Sequence, residues 1–517
     1  MKTTFFYQYL DNIYIRERYN LLYSLVFTLS IGVLAYGFMF ANGFYSHDSL
    51  TVIFSFLDNR WQVSLGRFIQ PIFRYFFIGT LNTFWYQGFL GLFFLAISSV
   101  FIYRLFNLNN KIYLFFISAI LTLNISSCLL VSTYIHWFCI FSFAQLLSTI
   151  AVYIIFKIKE YWILAILFLF LSIGLYQLYL SIFLVLAIIK LVQIQIDNSE
   201  LSKTIFLKIC IRLFIVTVAG LLLYAISIYL IQKIGSITLP NSYNSVNKAF
   251  SLSNKDLNLL MTVYLKPLTF LVNRTPYWNL PLIIFNIILY ITSILLIIFN
   301  IKGCKKFISL LLILFLPLAS NITVFLTGGM IHGLMLSPFF YCFLIFCIFP
   351  NFYNIQEYRN NRITNYILKL KSVSLVLFLL LFTFNSIKFS NLLIEKKHLE
   401  SVQTFVNVNY FINRLNSIPS YQNGKTKVFI VTPEYNIKNN TIFNKRDQQL
   451  KVFYQFTGNN SPSAASYEYS IRNYFKYFLN QKINLSKIIP LEKFSYRDRF
   501  KDRDQFYLDG NVYIKVD

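Results

Sequence analysis

With 517 residues, 57% of them hydrophobic and 13% charged, and a mean hydropathy of +0.58, the chain carries more apolar side chain than a water-soluble domain can hide. Its formal charge of +26 would suit a nucleic-acid binder, but the basic residues form no arm and no stripe interleaved with aromatics. They flank apolar stretches, where they meet anionic headgroups and set orientation, so membrane lipid is an expected partner and nucleic acid is not. The six cysteines make no CxxC or Cys/His spacing, which argues against a disulfide framework and against a metal centre.

Leu21 to Phe40 is uncharged and has about the 20 residues a helix needs to cross hydrocarbon. It follows Asp11, Arg16, Glu17 and Arg18 and shows no small-residue cleavage site, so it reads as a retained helix with the mature chain beginning near Met1. Placing Arg16 and Arg18 in the cytoplasm makes this helix run outward and leaves residues 41–83 as an external first loop. Phe84 to Tyr103 then returns to Arg104 and Lys111, Ile112 to Val131 goes out, and Phe138 to Phe156 comes back to Lys157, with an external tip at Tyr134, His136 and Trp137.

Tyr161 to Ile189 has no charge and is too long for one ordinary span. Two short helices with a tip at Gly174 to Tyr179 keep Lys302, Lys305 and Lys306 inside, whereas a single span would put them outside, so a hairpin is expected. Ile211 to Ile231 runs out to a polar loop over Gln232 to Tyr277. Leu280 to Asn300 descends, Ile308 to Leu326 ascends, Leu334 to Phe349 returns, and Ser372 to Ile387 leaves last. The sum is an all-α polytopic membrane protein of about eleven spans over residues 1–388, with an inside N-terminus. From Phe389 the composition turns polar. Lys425 to Thr432 and Val512 to Val516 read as strands with helical pattern between them, so residues 389–517 are expected to form a small α/β extracytoplasmic domain.

Polar side chains converge on the outer side. The first loop reads Tyr45-Ser46-His47-Asp48-Ser49, then an apolar Val52 to Leu57 suited to the interface plane, then Asp58-Asn59-Arg60-Trp61 and Gly66-Arg67. A carboxylate just outside the first span, with arginines 12 and 19 residues further on, suits a membrane enzyme handling an anionic lipid. The acid can take a proton from an acceptor hydroxyl, and arginine offers a planar fork matched to phosphate. The same spacing is also what a solvated interfacial loop with incidental ion pairs gives.

The order of first helix, His47-Asp48, amphipathic stretch, Asn59-Arg60-Trp61 and Gly66-Arg67 resembles the bacterial O-antigen glucosyltransferase family of the Gtr serotype-conversion type, membrane enzymes of the GT-C class. The tip Gly174-Leu175-Tyr176-Gln177-Leu178-Tyr179 is similar to a Tyr-Gln element of that family, so the likeness covers the first 190 residues best. Many relatives pair two acids where this chain has His47, a lone Asp48 and Ser49. The resemblance implies a glycosyltransferase of the bacterial cytoplasmic membrane, with its site on the outer face. It would move a hexose, most readily glucose, from a polyprenyl-phosphate donor to a surface glycan such as O-antigen, without a cofactor. Asp48 would be the general base, Arg60 and Arg67 would hold the donor phosphate, and His47 would lie beside the base. Trp61 either packs a sugar or prenyl chain or anchors the interface, and Tyr176 and Gln177 either line the acceptor side or satisfy a polar tip. The rival classes are a flippase for lipid-linked oligosaccharides, which would need ionisable groups along a midplane cavity, and an O-antigen polymerase.

Overall fold

A computed structural model describes residues 2–44, 60–78, 83–197, 203–235, 257–275, 277–301, 303–327, 333–348, 362–432, 483–490, 505–508 and 511–515. In chain order the helices are α1 (Lys2–Asn42), α2 (Arg60–Ser64), α3 (Ile69–Phe77), α4 (Phe84–Leu105), α5 (Lys111–Leu123), α6 (Ile125–Lys157) and α7 (Leu164–Leu175). They continue with α8 (Tyr179–Asp197), α9 (Lys203–Gly235), α10 (Leu257–Val272), α11 (Leu280–Asn300), α12 (Gly303–Thr327), α13 (Ser337–Tyr341) and α14 (Arg362–Asn416). Strands β1 (Lys427–Thr432), β2 (Asn484–Pro490), β3 (Gln505–Leu508) and β4 (Asn511–Lys515) complete the described chain. The protein forms two compact units: Met1–Gly37, Asp58–Cys128 and Trp137–Phe389 make the first, and Phe38–Leu57, Leu129–His136 and Ser390–Asp517 the second.

Among the described residues eight helices are long and apolar enough to cross a membrane. They match eight of the spans read from the sequence. The other three expected spans fall on shorter apolar segments: α5, α7 and the stretch Gly333–Cys347. The expected hairpin is present as α7 and α8, separated by an extended Tyr176. Ile112 to Val131, by contrast, is not one continuous helix. Asn124 ends α5 and begins α6: its amide donates to Ile120 O and Leu121 O, while its side-chain oxygen accepts from Ser127 N. The expected external tip is also altered. The chain bends at Tyr134, which has non-helical backbone angles, yet His136 and Trp137 are buried rather than looped out.

Two further stretches differ from the sequence reading. The polar loop expected over Gln232 to Tyr277 contains α10, whose Pro267 removes the donor that Val263 O would meet in a regular helix. Asn321 of α12 supplies it instead, donating to Val263 O at 2.9 Å. Of the expected span Leu334 to Phe349, the described part, to Ile348, is a succession of short 3-10 and α turns, Gly333–Leu336, α13 and Cys342–Cys347, and almost every side chain in it is buried. Backbone polar groups of an irregular segment must be satisfied by protein when water is excluded, which is why such a stretch sits inside rather than against lipid. Four of the six cysteines are buried and none of the six forms a disulfide.

The second unit holds a four-stranded sheet in the order β2-β1-β4-β3. β1 runs parallel to both β2 and β4, and β3 closes antiparallel on β4. Val428, Ile430 and Val431 of the central β1 are buried, the continuous apolar run expected of a strand covered on both faces. Phe429 and Tyr513, directly opposite in the β1–β4 register, stack at 4.9 Å. The last long helix, α14, continues well past Ile387, where the sequence reading ended the final span, and runs to Asn416.

Candidate functional site

The site lies in the first unit, where the segment after α2 meets the tip between α7 and α8. Gly66 takes a positive φ of 79°, which a side chain would oppose, and closes α2 through Gly66 N to Val63 O and Arg67 N to Gln62 O, both 2.9 Å. Arg67 therefore emerges from a fixed turn. Gln70, one helical turn later, donates from Nε2 to Leu175 O at 2.7 Å. The close approach needs Gly174, because a Cβ there would meet Ile69 Cγ1 at 2.6 Å and Phe68 Cζ at 3.2 Å.

On the other side of this seam Gln177 donates from Nε2 both to Leu65 O and to the Tyr224 hydroxyl of α9, each at 2.7 Å. The Tyr224 ring lies 5.9 Å from Phe68. Gln177 thus joins three segments, holding the residues just before Gly66 against the tip. Above it, the Arg67 guanidinium sits 4.6 Å over the Tyr176 ring, which stacks on Phe141 at 4.5 Å with an interplanar angle of 8°. Trp137 continues the stack at 6.5 Å from Phe141. A cation resting on an aromatic face keeps its in-plane donors available, since the ring engages only the flat face of the guanidinium. Arg67 is half-buried, and among the described residues its Nε has no hydrogen-bond partner. The arrangement offers a rigidly aimed donor fork beside a wall of aromatic rings, chemistry suited to an anionic headgroup attached to an apolar or sugar moiety.

The fold brings together three residues that the sequence singled out separately, Arg67, Tyr176 and Gln177. His47 and Asp48 lie outside the described residues, as do Asp58 and Asn59. Arg60 and Trp61 open α2, but their side chains are likewise outside what is described. Sequence reasoning passed over Gln70 and Arg74, which are 1% and 3% exposed on α3. Burial lowers the Arg74 pKa to about 10, so it stays charged at neutral pH. A signal was present: Arg60, Arg67 and Arg74 recur at intervals of seven, and no acid occurs between Asp58 and Glu160. Among the described residues no group of histidine, cysteine and acid side chains could hold a metal ion.

A family model described as Glucosyl transferase GtrII matches residues 37–349, more than half of the chain, a span that includes Arg67, Tyr176 and Gln177. No curated protein and no solved structure matches.

Proposed function

We propose, since this chain belongs to the glucosyl transferase GtrII family, that it transfers a hexose, most readily glucose, from a polyprenyl-phosphate donor to a cell-surface glycan such as O-antigen. Membership makes it a glycosyltransferase with a sugar donor and an acceptor as substrates. The finer reading is ours: a GT-C-type enzyme of about eleven spans in a bacterial cytoplasmic membrane, with the site and residues 389–517 on the outer face.

The observation that carries it is the Arg67 fork on its Tyr176 platform, with an Nε that has no hydrogen-bond partner among the described residues. In this mechanism the Asp48 carboxylate accepts the proton of an acceptor hydroxyl as that oxygen attacks the anomeric carbon. The bond from that carbon to the phosphate oxygen breaks, and the phosphate leaves with the electron pair into the field of Arg67 and Arg60. A single displacement inverts the anomeric centre. His47 stands next to the base in the chain, Trp61 would pack the sugar or prenyl chain, and Tyr176 would form the floor beneath Arg67. A lipid-linked donor explains why a polar site would sit at headgroup depth, and no nucleotide-binding loop or cofactor is needed.

Surface-polysaccharide composition, compared among cells carrying the intact protein, Asp48→Asn and a deletion, tests the reading. A hexose branch missing from the deletion and from a membrane-inserted Asp48→Asn protein supports it, and removal of a base should lower the rate by at least about a hundredfold. Normal transfer by a well-expressed Asp48→Asn protein removes Asp48 from the mechanism. A deletion with unchanged polysaccharide refutes the substrate.

A further inference from the structure

Helix α9 carries no charge between Arg212 and Lys233, so its polar side chains must be satisfied without water. Thr217 does this locally, donating to Leu213 O at 2.7 Å. A tyrosine is too long to turn back on its own helix. The buried Tyr36 and Tyr277 donate across to other segments instead, to Thr122 O at 2.6 Å and to Leu123 O at 2.7 Å. Tyr224, 6% exposed on α9, is joined in the opposite sense. Its hydroxyl receives a hydrogen bond, from Gln177 Nε2 at 2.7 Å.

The direction of that bond is fixed by a third group. Gln177 Nε2 also meets Leu65 O at 2.7 Å, and a carbonyl oxygen can only accept, so the atom shared between the two is the amide nitrogen. Tyr224 Oη therefore accepts, and among the described residues its own proton has no acceptor. A phenolic O–H lies in the plane of its ring, and here the ring is held against Phe68, at 5.9 Å and 29°. Phe68 follows Arg67 in the chain, and Arg67 is near enough to act electrostatically on the Tyr224 hydroxyl. Arg67 Nε is itself buried with no hydrogen-bond partner among the described residues. A cationic and a neutral donor thus lie within electrostatic reach of one another, each with a proton unspent. Both can only be completed by an acceptor, and an anion with several oxygens can meet the two together.

We propose that Tyr224 is a further substrate-binding residue, whose O–H donates to a phosphate oxygen of the lipid-linked donor alongside Arg67. This role rests on the phosphate-donor reading above. The neutral hydroxyl adds a directed hydrogen bond to the charge and fork of Arg67 without placing a second cation in an apolar span. Gln177 then acts twice at Tyr224. By occupying one side of the oxygen it sends the proton to the other, and by polarising the hydroxyl it makes that proton a stronger donor.

The test uses the full-length protein in phosphatidylcholine nanodiscs, titrated with polyprenyl monophosphate and with uncharged polyprenol as separate probes. The intact protein should prefer the phosphate, and Tyr224→Phe, which keeps the ring against Phe68, should weaken phosphate binding by roughly tenfold or more while leaving polyprenol binding unchanged. The same loss should persist when Tyr224→Phe is made in a Gln177→Leu protein. A second variant carries ortho-fluorotyrosine in place of Tyr224, a stronger donor and a weaker acceptor, and should bind the phosphate more tightly than the intact protein. Unchanged phosphate binding in Tyr224→Phe overturns the role of Tyr224 and leaves the donor reading standing. A loss that vanishes in the Gln177→Leu background, or weaker binding by the fluorinated protein, makes Tyr224 only a prop for Gln177 and also overturns the proposal. An intact protein that does not distinguish phosphate from polyprenol overturns the donor reading itself. Competition by phosphatidylglycerol as strong as by polyprenyl phosphate assigns the two donors to bulk anionic lipid and overturns the proposal.

Discussion

Removing the Gln177 amide while keeping its bulk, as in Gln177→Leu, leaves Leu65 O and the Tyr224 hydroxyl without the donor that each receives at 2.7 Å. An unsatisfied buried polar group costs about 1–3 kcal/mol, and hydrogen bonds between membrane helices measure about 0.6 kcal/mol on average and up to about 1.7 kcal/mol. Two bonds lost at one residue therefore predict a destabilisation of about 1–3 kcal/mol. Tyr224→Phe by itself removes one of the two bonds and should cost less, about 1 kcal/mol. In the double variant the hydroxyl penalty disappears, so the two effects should fall short of their sum by about 0.5–1.5 kcal/mol. The assay is reversible unfolding of the detergent-solubilised protein, run as a double-mutant cycle beside the apparent Michaelis constant for the proposed lipid-linked donor. Because Gln177 holds the turn that aims Arg67, that constant should rise in Gln177→Leu even where the protein is folded. Additive stability effects together with an unchanged donor constant would refute the view of Gln177 as the joint between the tip and the Arg67 turn.

Gly174→Ala should be more than a helix-propensity gain: the new Cβ lies 2.6 Å from Ile69 Cγ1, so overpacking of about 1–3 kcal/mol is expected against roughly 1 kcal/mol gained, with lowered transfer as α3 is pushed from the tip. Thermal unfolding and transfer rate check it, and a variant as stable and active as its parent would show that the seam has slack. Arg67→Lys keeps the charge but loses the fork, so the Michaelis constant for polyprenyl-phosphate sugar should rise, by about tenfold if one charge-assisted bond is lost; an unchanged constant makes Arg67 a headgroup contact only. Reporter fusions address orientation. One placed after Lys306 should report cytoplasm and one after Ser390 the exterior, and a reversal of either would overturn the parity that sets the outer face.

Several parts of this protein were legible from local pattern alone. Uncharged runs marked the long helices because length and hydropathy are properties of a segment, independent of its neighbours. The hairpin of α7 and α8 followed from a run too long for one span, combined with the positions of lysines further along the chain. β1 and β4 were visible through their dense β-branched and aromatic content, whereas β2 begins with Asn484, Leu485 and Ser486 and ends on Pro490, and β3 is only Gln505–Leu508. Helix α10 was hidden by Lys266 and Pro267, and it depends on Asn321 from another helix to satisfy the carbonyl that the proline leaves.

What sequence by itself determined was thus the membrane class, most of the spans, and the separate candidacy of Arg67, Tyr176 and Gln177. Only the tertiary structure decided that these are neighbours, with Gln177 bonded to a carbonyl 112 residues away, and that its amide holds the protein together rather than standing open. It also decided that Arg74 faces inward. The seven-residue spacing puts Arg67 and Arg74 on one face, but whether that face meets lipid, water or protein depends on which helices pack against α3. That choice is made by the fit of Ile69 into the space left by Gly174 and by the Gln70 bond to Leu175, contacts between segments far apart in the chain that no local periodicity encodes.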